Sequence, residues 1–83
     1  VVVLKRLADA RRDGNPIHAV IRGVGAAAHE SVQRSVCQAT TRALRDADLP
    51  VTAVEAVEMH GFGMLKCDQA EYTAIRETYA PAN

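Results

Sequence analysis

The order of elements in this chain predicts an α/β fold: strand, strand, helix, strand, helix. Three observations carry that order. Two short runs, Val1-Val2-Val3-Leu4 and Val54-Glu55-Ala56-Val57-Glu58-Met59, have strand composition. Residues 29–48 repeat their apolar side chains at helical spacing. Turn residues separate the segments, as in Asp13-Gly14-Asn15-Pro16.

Residues 1–7 open with four consecutive aliphatics, the pattern of a strand covered on both faces. Residues 8–12 are brief and helix-prone. Residues 17–24 follow the turn as a second strand. Ile17, Ala19 and Ile21 lie on one side, and His18, Val20 and Arg22 on the other. These two strands are able to pair antiparallel across the connection. Residues 23–28 are small and lead into a loop. The helix over 29–48 carries Val32, Val36, Ala39 and Ala43 on one stripe, with Arg34, Gln38, Arg42 and Arg45 off it. Ser31 is a candidate cap, and Pro50 marks the exit. Residues 52–59 form the third strand. A last helix is predicted over 68–80. Asp68 and Glu71 resemble a capping box there, Tyr72, Ile75 and Tyr79 form the apolar stripe, and Pro81 ends it.

Composition narrows the function classes. The chain has 83 residues, which is one small domain at most or a piece of a larger one. It has no Trp, and its aromatics are Phe62, Tyr72 and Tyr79. Most of its apolar content is Ala and Val, which gain less on burial than Leu, Ile or Phe. Such a core belongs inside a larger, tightly packed body. Formal net charge is zero and the short basic clusters have acidic neighbours, so no nucleic-acid footprint is expected. No apolar run reaches membrane-spanning length. The opening Val1-Val2-Val3-Leu4-Lys5 carries no charged leader, cleavage site or initiator Met, which is the expectation for an internal segment. Cys37 and Cys67 form no CxxC pair, and an intracellular, cytoplasmic, reducing setting is the default. Cys37 reads as a small core residue, and Cys67 precedes a helix start, with no base beside it. His29, Cys37, His60 and Cys67 match no zinc-ligand spacing, so no metal is expected.

The most informative stretch is Glu58-Met59-His60-Gly61-Phe62-Gly63-Met64. A strand delivers a histidine to a turn held by two glycines, which permit unusual dihedrals and close approach to a ligand. A histidine at a strand end is more often structural than catalytic when judged on its local pattern alone. The flanking sequence points to chemistry.

Three segments together resemble the ketosynthase (β-ketoacyl synthase) domains of polyketide and fatty-acid synthases. They are Val1-Val2-Val3-Leu4-Lys5-Arg6-Leu7-Ala8-Asp9-Ala10 with Arg12-Asp13-Gly14, then Ile17-His18-Ala19-Val20-Ile21-Arg22-Gly23, then Val57-Glu58-Met59-His60-Gly61-Phe62-Gly63-Met64 with Asp68 and Glu71. The last is in register with the family's VEAHGTGTPLGDPIE stretch. The resemblance implies part of a thiolase-like fold, in which two related α/β halves stack with helices between their sheets. Residues 1–23 would be the last strands of the first half. The helix over 29–48 would lead into the second half, and residues 54–59 would be its first strand. The whole chain, 1–83, would be a single partial domain from the middle of a ketosynthase.

The resemblance further implies decarboxylative Claisen condensation of acyl and malonyl-type thioesters, with His60 as a catalytic residue. Gly61, Phe62, Gly63 and Met64 would line the pantetheine channel. It implies no directly bound cofactor, with phosphopantetheine as the arm of an acyl-carrier protein. The implied partners are that carrier protein, the remaining ketosynthase segments and a second copy in a homodimer. The family's nucleophilic cysteine, second histidine and lysine lie outside this chain, so the segment alone is not expected to be active. Two departures stand out. The family carries a loop of roughly ten or more residues before the long helix, where this chain runs from Gly25-Ala26-Ala27-Ala28 straight into His29. Either the connection is lost or the sequence omits a segment. Both threonines of the HGTGT motif are replaced, by Phe62 and Met64. That leaves open an alternative, a non-elongating homologue such as a decarboxylase, a transacylase or a partner protein resembling a chain-length factor.

Overall fold

The computed structural model describes residues 1–80, and among them it forms helices and no strand. Helix α1 spans Leu7–Arg12, α2 spans Val32–Ala47 and α3 spans Leu65–Tyr79. A 3-10 turn, Val51–Ala53, lies between α2 and α3.

Helix α1 ends as its sequence requires. Gly14 takes a left-handed φ of 68°. The Asn15 N–H donates to the Ala10 carbonyl at 2.9 Å and the Gly14 N–H to Arg11 at 3.3 Å, a Schellman closure. Lys5 reaches back to Asp13 and Asn15, each at 2.6 Å, and ties the approaching chain to the turn.

Helix α2 begins three residues later than 29. Ser31 caps it, its hydroxyl accepting from the Arg34 N–H at 3.3 Å. His29 stays outside the helix, exposed, with Nδ1 accepting from the Ser31 N–H at 2.9 Å. The expected stripe of Val32, Val36, Ala39 and Ala43 is half-buried, while Arg34, Gln38, Arg42 and Arg45 lie off it. Asp48 closes the helix in the left-handed region at φ 53°, where Asp is tolerated better than most residues.

The small stretch before α2 lies along that helix. Residues 23–28 alternate strictly between half-buried and exposed, the period of an extended chain. A Cβ on Gly23 would fall 2.5 Å from the Ala43 carbonyl oxygen, and one on Gly25 would collide with the backbone of Ala39 and Ala43. The two glycines therefore admit the segment into contact with an alanine ridge. The Val24 N–H donates to Asp46 at 2.9 Å and Arg42 to the Ala26 carbonyl at 2.7 Å, which fixes the register.

Helices α2 and α3 pack against each other. Ala74, fully buried, lets the backbones approach. Gln33 donates to both Glu77 oxygens, at 2.8 and 2.9 Å. The Cys37 thiol sits at this seam, 3.7 Å from the Ala74 carbonyl. It is half-buried there, short of the core position its sequence pattern implies.

Several expectations need correcting. The strands expected over 1–7, 17–24 and 52–59 are not formed, and no antiparallel pair joins the first two. A strand needs a neighbour to take its backbone hydrogen bonds. Here Val1, Val2, Val3, Leu4, Ile21 and Val24 face solvent instead. Helix α3 starts at Leu65 and not at Asp68, so Cys67 lies inside its first turn. Its buried face runs through Glu71 and Ala74, and not through Tyr72, which is 55% exposed. Pro81 lies outside the described residues.

Candidate functional site

The segment between the 3-10 turn and α3 carries the histidine turn. Met64, the residue before α3, caps it with no side chain. Asp68 and Glu71, expected to form a capping box, serve the preceding turn instead. Glu71 is 6% exposed, the one buried charged side chain among the described residues. Its two oxygens accept from the His60 N–H at 3.0 Å and the Gly61 N–H at 3.2 Å. Asp68 accepts from the Phe62 N–H at 2.8 Å. Three successive backbone donors are thereby held by two carboxylates one helical turn apart. A buried carboxylate needs such donors, since desolvation without them costs several kcal/mol, on the order of the penalty for an unpaired buried ion.

Gly61 and Gly63 adopt left-handed φ values of 69° and 78°. A Cβ on either would meet no atom within 4 Å, so glycine is required there by backbone conformation and not by crowding. The imidazole of His60 lies beside the ring of Phe62, with centroids 4.3 Å apart and planes tilted by 57°. His60, Phe62 and Met64 are all exposed. The turn therefore presents an imidazole, an aromatic ring and a thioether on one clamped stretch of backbone. Two shallow surface depressions lie elsewhere, one along α3 at Tyr72 and Arg76, the other along α2 at Cys37 and Arg42.

His60, Gly61, Phe62, Gly63 and Met64 are consecutive in the chain and lie on this turn. Sequence reasoning assigns Asp68 and Glu71 to a helix cap and misses their tie to the turn. The pairing of two acids with a glycine turn upstream is the available signal. Among the described residues, no group of three or more His, Cys, Asp or Glu side chains is placed to hold a metal ion. No helix among them is long and apolar enough to cross a membrane.

The model of the family described as "Beta-ketoacyl synthase, C-terminal domain" matches residues 18–83, most of the chain and the whole of this turn. The chain belongs to the β-ketoacyl synthase family. The ketosynthase match begins inside the segment expected as the second strand, so that segment falls within the C-terminal domain.

Curated relatives agree. The segment is 41% identical over 90 residues to "Spectinabilin polyketide synthase system protein NorB" of Streptomyces orinoci, covering 95% of this chain and 4% of that protein. It is 37% identical over 90 residues to "Non-reducing polyketide synthase ustP" of Ustilaginoidea virens, covering 96% and 4%. It is 39% identical over 88 residues to a phenolphthiocerol/phthiocerol polyketide synthase of Mycobacterium tuberculosis, covering 95% and 6%. The chain thus spans a few per cent of the length of these relatives. The aligned stretches are longer than the 83 residues of the chain, so the relatives carry positions that this ketosynthase segment lacks. No solved structure matches it significantly. The thiolase-like fold follows from the family, while the chain itself contributes helices and extended segments.

Proposed function

We propose that this chain is a segment of a polyketide-type β-ketoacyl synthase in which His60 takes part in decarboxylative Claisen condensation. The supporting observation is the clamped turn: a family-matched histidine on backbone fixed by Asp68 and Glu71, with its ring exposed to a ligand. In the reaction, a cysteine elsewhere in the ketosynthase holds the acyl group as a thioester. The malonyl-type extender loses carbon dioxide, and its enolate carbon attacks the acyl carbonyl. The cysteine thiolate leaves as the new carbon–carbon bond forms. The imidazole of His60 donates a hydrogen bond to the extender's thioester oxygen, where negative charge develops. A placed donor of this kind contributes roughly 3 to 4 kcal/mol to the transition state, by analogy with oxyanion-hole deletions.

The extender reaches the site on the phosphopantetheine arm of an acyl-carrier protein, and residues 61–64 line its channel. Phe62 and Met64 make that stretch apolar where the family has hydroxyls. They cannot donate the hydrogen bonds that threonines give to the arm. The exposed aliphatics of residues 1–4 and 17–24 are covered by the remaining ketosynthase segments, in a domain that pairs with a second copy. The connection before α2 is where the family carries its longer loop. There, residues 23–28 turn directly back along the helix.

The test is His60→Ala in the full-length protein. Acyl loading of the cysteine persists and condensation is lost. Condensation at the normal rate would remove His60 from the reaction. A second reading is favoured by the replaced hydroxyls alone: a homologue that no longer elongates. Restoring Thr at Phe62 and Met64 together separates the two. A gain of elongation identifies a channel lesion in a non-elongating relative, and a protein already elongating excludes that relative.

A further inference from the structure

The exposed imidazole of His60 needs something to orient it. Among the described residues, no side chain hydrogen-bonds its ring. Its one described ring contact is Phe62, at 4.3 Å between centroids and a tilt of 57°. Tilted aromatic pairs at such distances attract through the edge of one ring and the face of the other. The pair is not a chance meeting of two mobile side chains. The backbone N–H of His60 and that of Gly61 are held by Glu71, and that of Phe62 by Asp68, so α3 sets where both rings begin. The left-handed Gly61 between them completes the turn.

We propose that Phe62 is a positioning residue for His60, its ring fixing the imidazole's orientation without taking a hydrogen bond from either ring nitrogen. A hydrogen-bonding neighbour would orient the imidazole too, but would occupy one nitrogen and set its tautomer. An aromatic neighbour orients without that constraint. This rests on the proposed role of His60. It adds a second duty to a residue otherwise read only as channel wall. The two duties separate kinetically, because orientation of a group used in the transition state acts on kcat, whereas channel lining acts on binding of the carrier arm.

Phe62→Leu and Phe62→Tyr are compared in the full-length protein, with His60→Ala as the control. Phe62→Leu keeps apolar bulk and removes the ring, and Phe62→Tyr keeps the ring. The expected result is a kcat for condensation lowered roughly three- to tenfold by Phe62→Leu, a larger factor than any change in KM for the carrier-bound extender. Phe62→Tyr, which keeps the ring, retains more of that kcat than Phe62→Leu. An unchanged far-ultraviolet circular dichroism spectrum reports that both are folded. A Phe62→Leu loss confined to KM, or no loss at all, overturns the proposal while leaving His60's role intact. Condensation surviving His60→Ala overturns that role and this inference with it. A proton NMR arm needs no turnover: the His60 ring protons sit upfield in the wild-type protein and return to exposed-histidine positions in Phe62→Leu. Ring protons that do not move between the two overturn the contact itself.

Discussion

Glu71 is the residue on which the histidine turn depends most. It is buried, and its two oxygens are used by the N–H groups of His60 and Gly61. Removing the carboxylate strands two backbone donors, which costs about 1–3 kcal/mol for each buried donor left unpaired. Glu71→Ala in the full-length protein should therefore lower condensation at least roughly tenfold while cysteine loading persists, as followed by separate loading and elongation assays. Normal elongation would show that the clamp does not hold the site. Gly61 and Gly63 are legible in the sequence because glycine is the residue free to take positive φ, and His60 is legible as the one histidine set against that glycine turn. Glu71 is legible as a helix-start acid but not as a clamp. Which donors a carboxylate meets depends on where the chain returns, and local spacing does not encode that. The same limit applies to Cys67, which the earlier start of α3 moves inside the helix.

At the scale of elements, the helices are legible and the strands are not. Helix α2 carries its own cap, stripe and stop in sequence order, so periodicity finds it within three residues at its start and one at its end. Residues 1–7, 17–24 and 52–59 have strand composition, but their hydrogen bonds must come from other segments. Residues 23–28 look featureless because their information is negative. Glycine at 23 and 25 matters for the side chain it lacks against Ala39, Ala43 and Ala47. Gly25→Ala should push this segment off α2 and destabilise the folded state by about 1–3 kcal/mol, measured as a lower urea midpoint. An unchanged midpoint would place the segment away from the helix.

Helix α1 responds to acid. The Arg12 guanidinium first, then the Lys5 ammonium, hold the Asp13 carboxyl below the usual carboxylate range. Its folded value lies below its unfolded one, so the contribution to stability is present above the ordinary carboxylate pKa of about 4 and is lost as pH falls through the lowered value. An NMR titration of the Asp13 carboxyl should give a midpoint below that of the unfolded chain. A midpoint at or above it would contradict the ion pairs. The groups are exposed, so salt should weaken the shift.

At the scale of the whole molecule, these residues build an open shape. The radius of gyration is 15.2 Å, against roughly 12 Å for a compact domain of this length. The buried positions among the described residues are Ala10, Glu71 and Ala74, and no large side chain is fully buried. Richness in Ala and Val accords with this: such residues complete a core that larger neighbours must supply. Amide exchange on the 83-residue chain alone should show the strongest protection in α2 and α3 and fast exchange over residues 1–6 and 17–22. Protection across those segments would mean that they pair without further partners. The family and its thiolase-like architecture are legible because motif order survives in sequence. The strand ladders are not, because a ladder belongs to the assembled sheet.

In the proposed role, His60, held by the α3 carboxylates, serves the condensation step and not the loading step. Single-turnover measurement of loading and of condensation on full-length His60→Ala tests it most directly. The account predicts wild-type acyl loading with condensation reduced by roughly two to three orders of magnitude, the loss expected for one oxyanion donor. Condensation at the wild-type rate, or loss of loading in a folded protein, would contradict it.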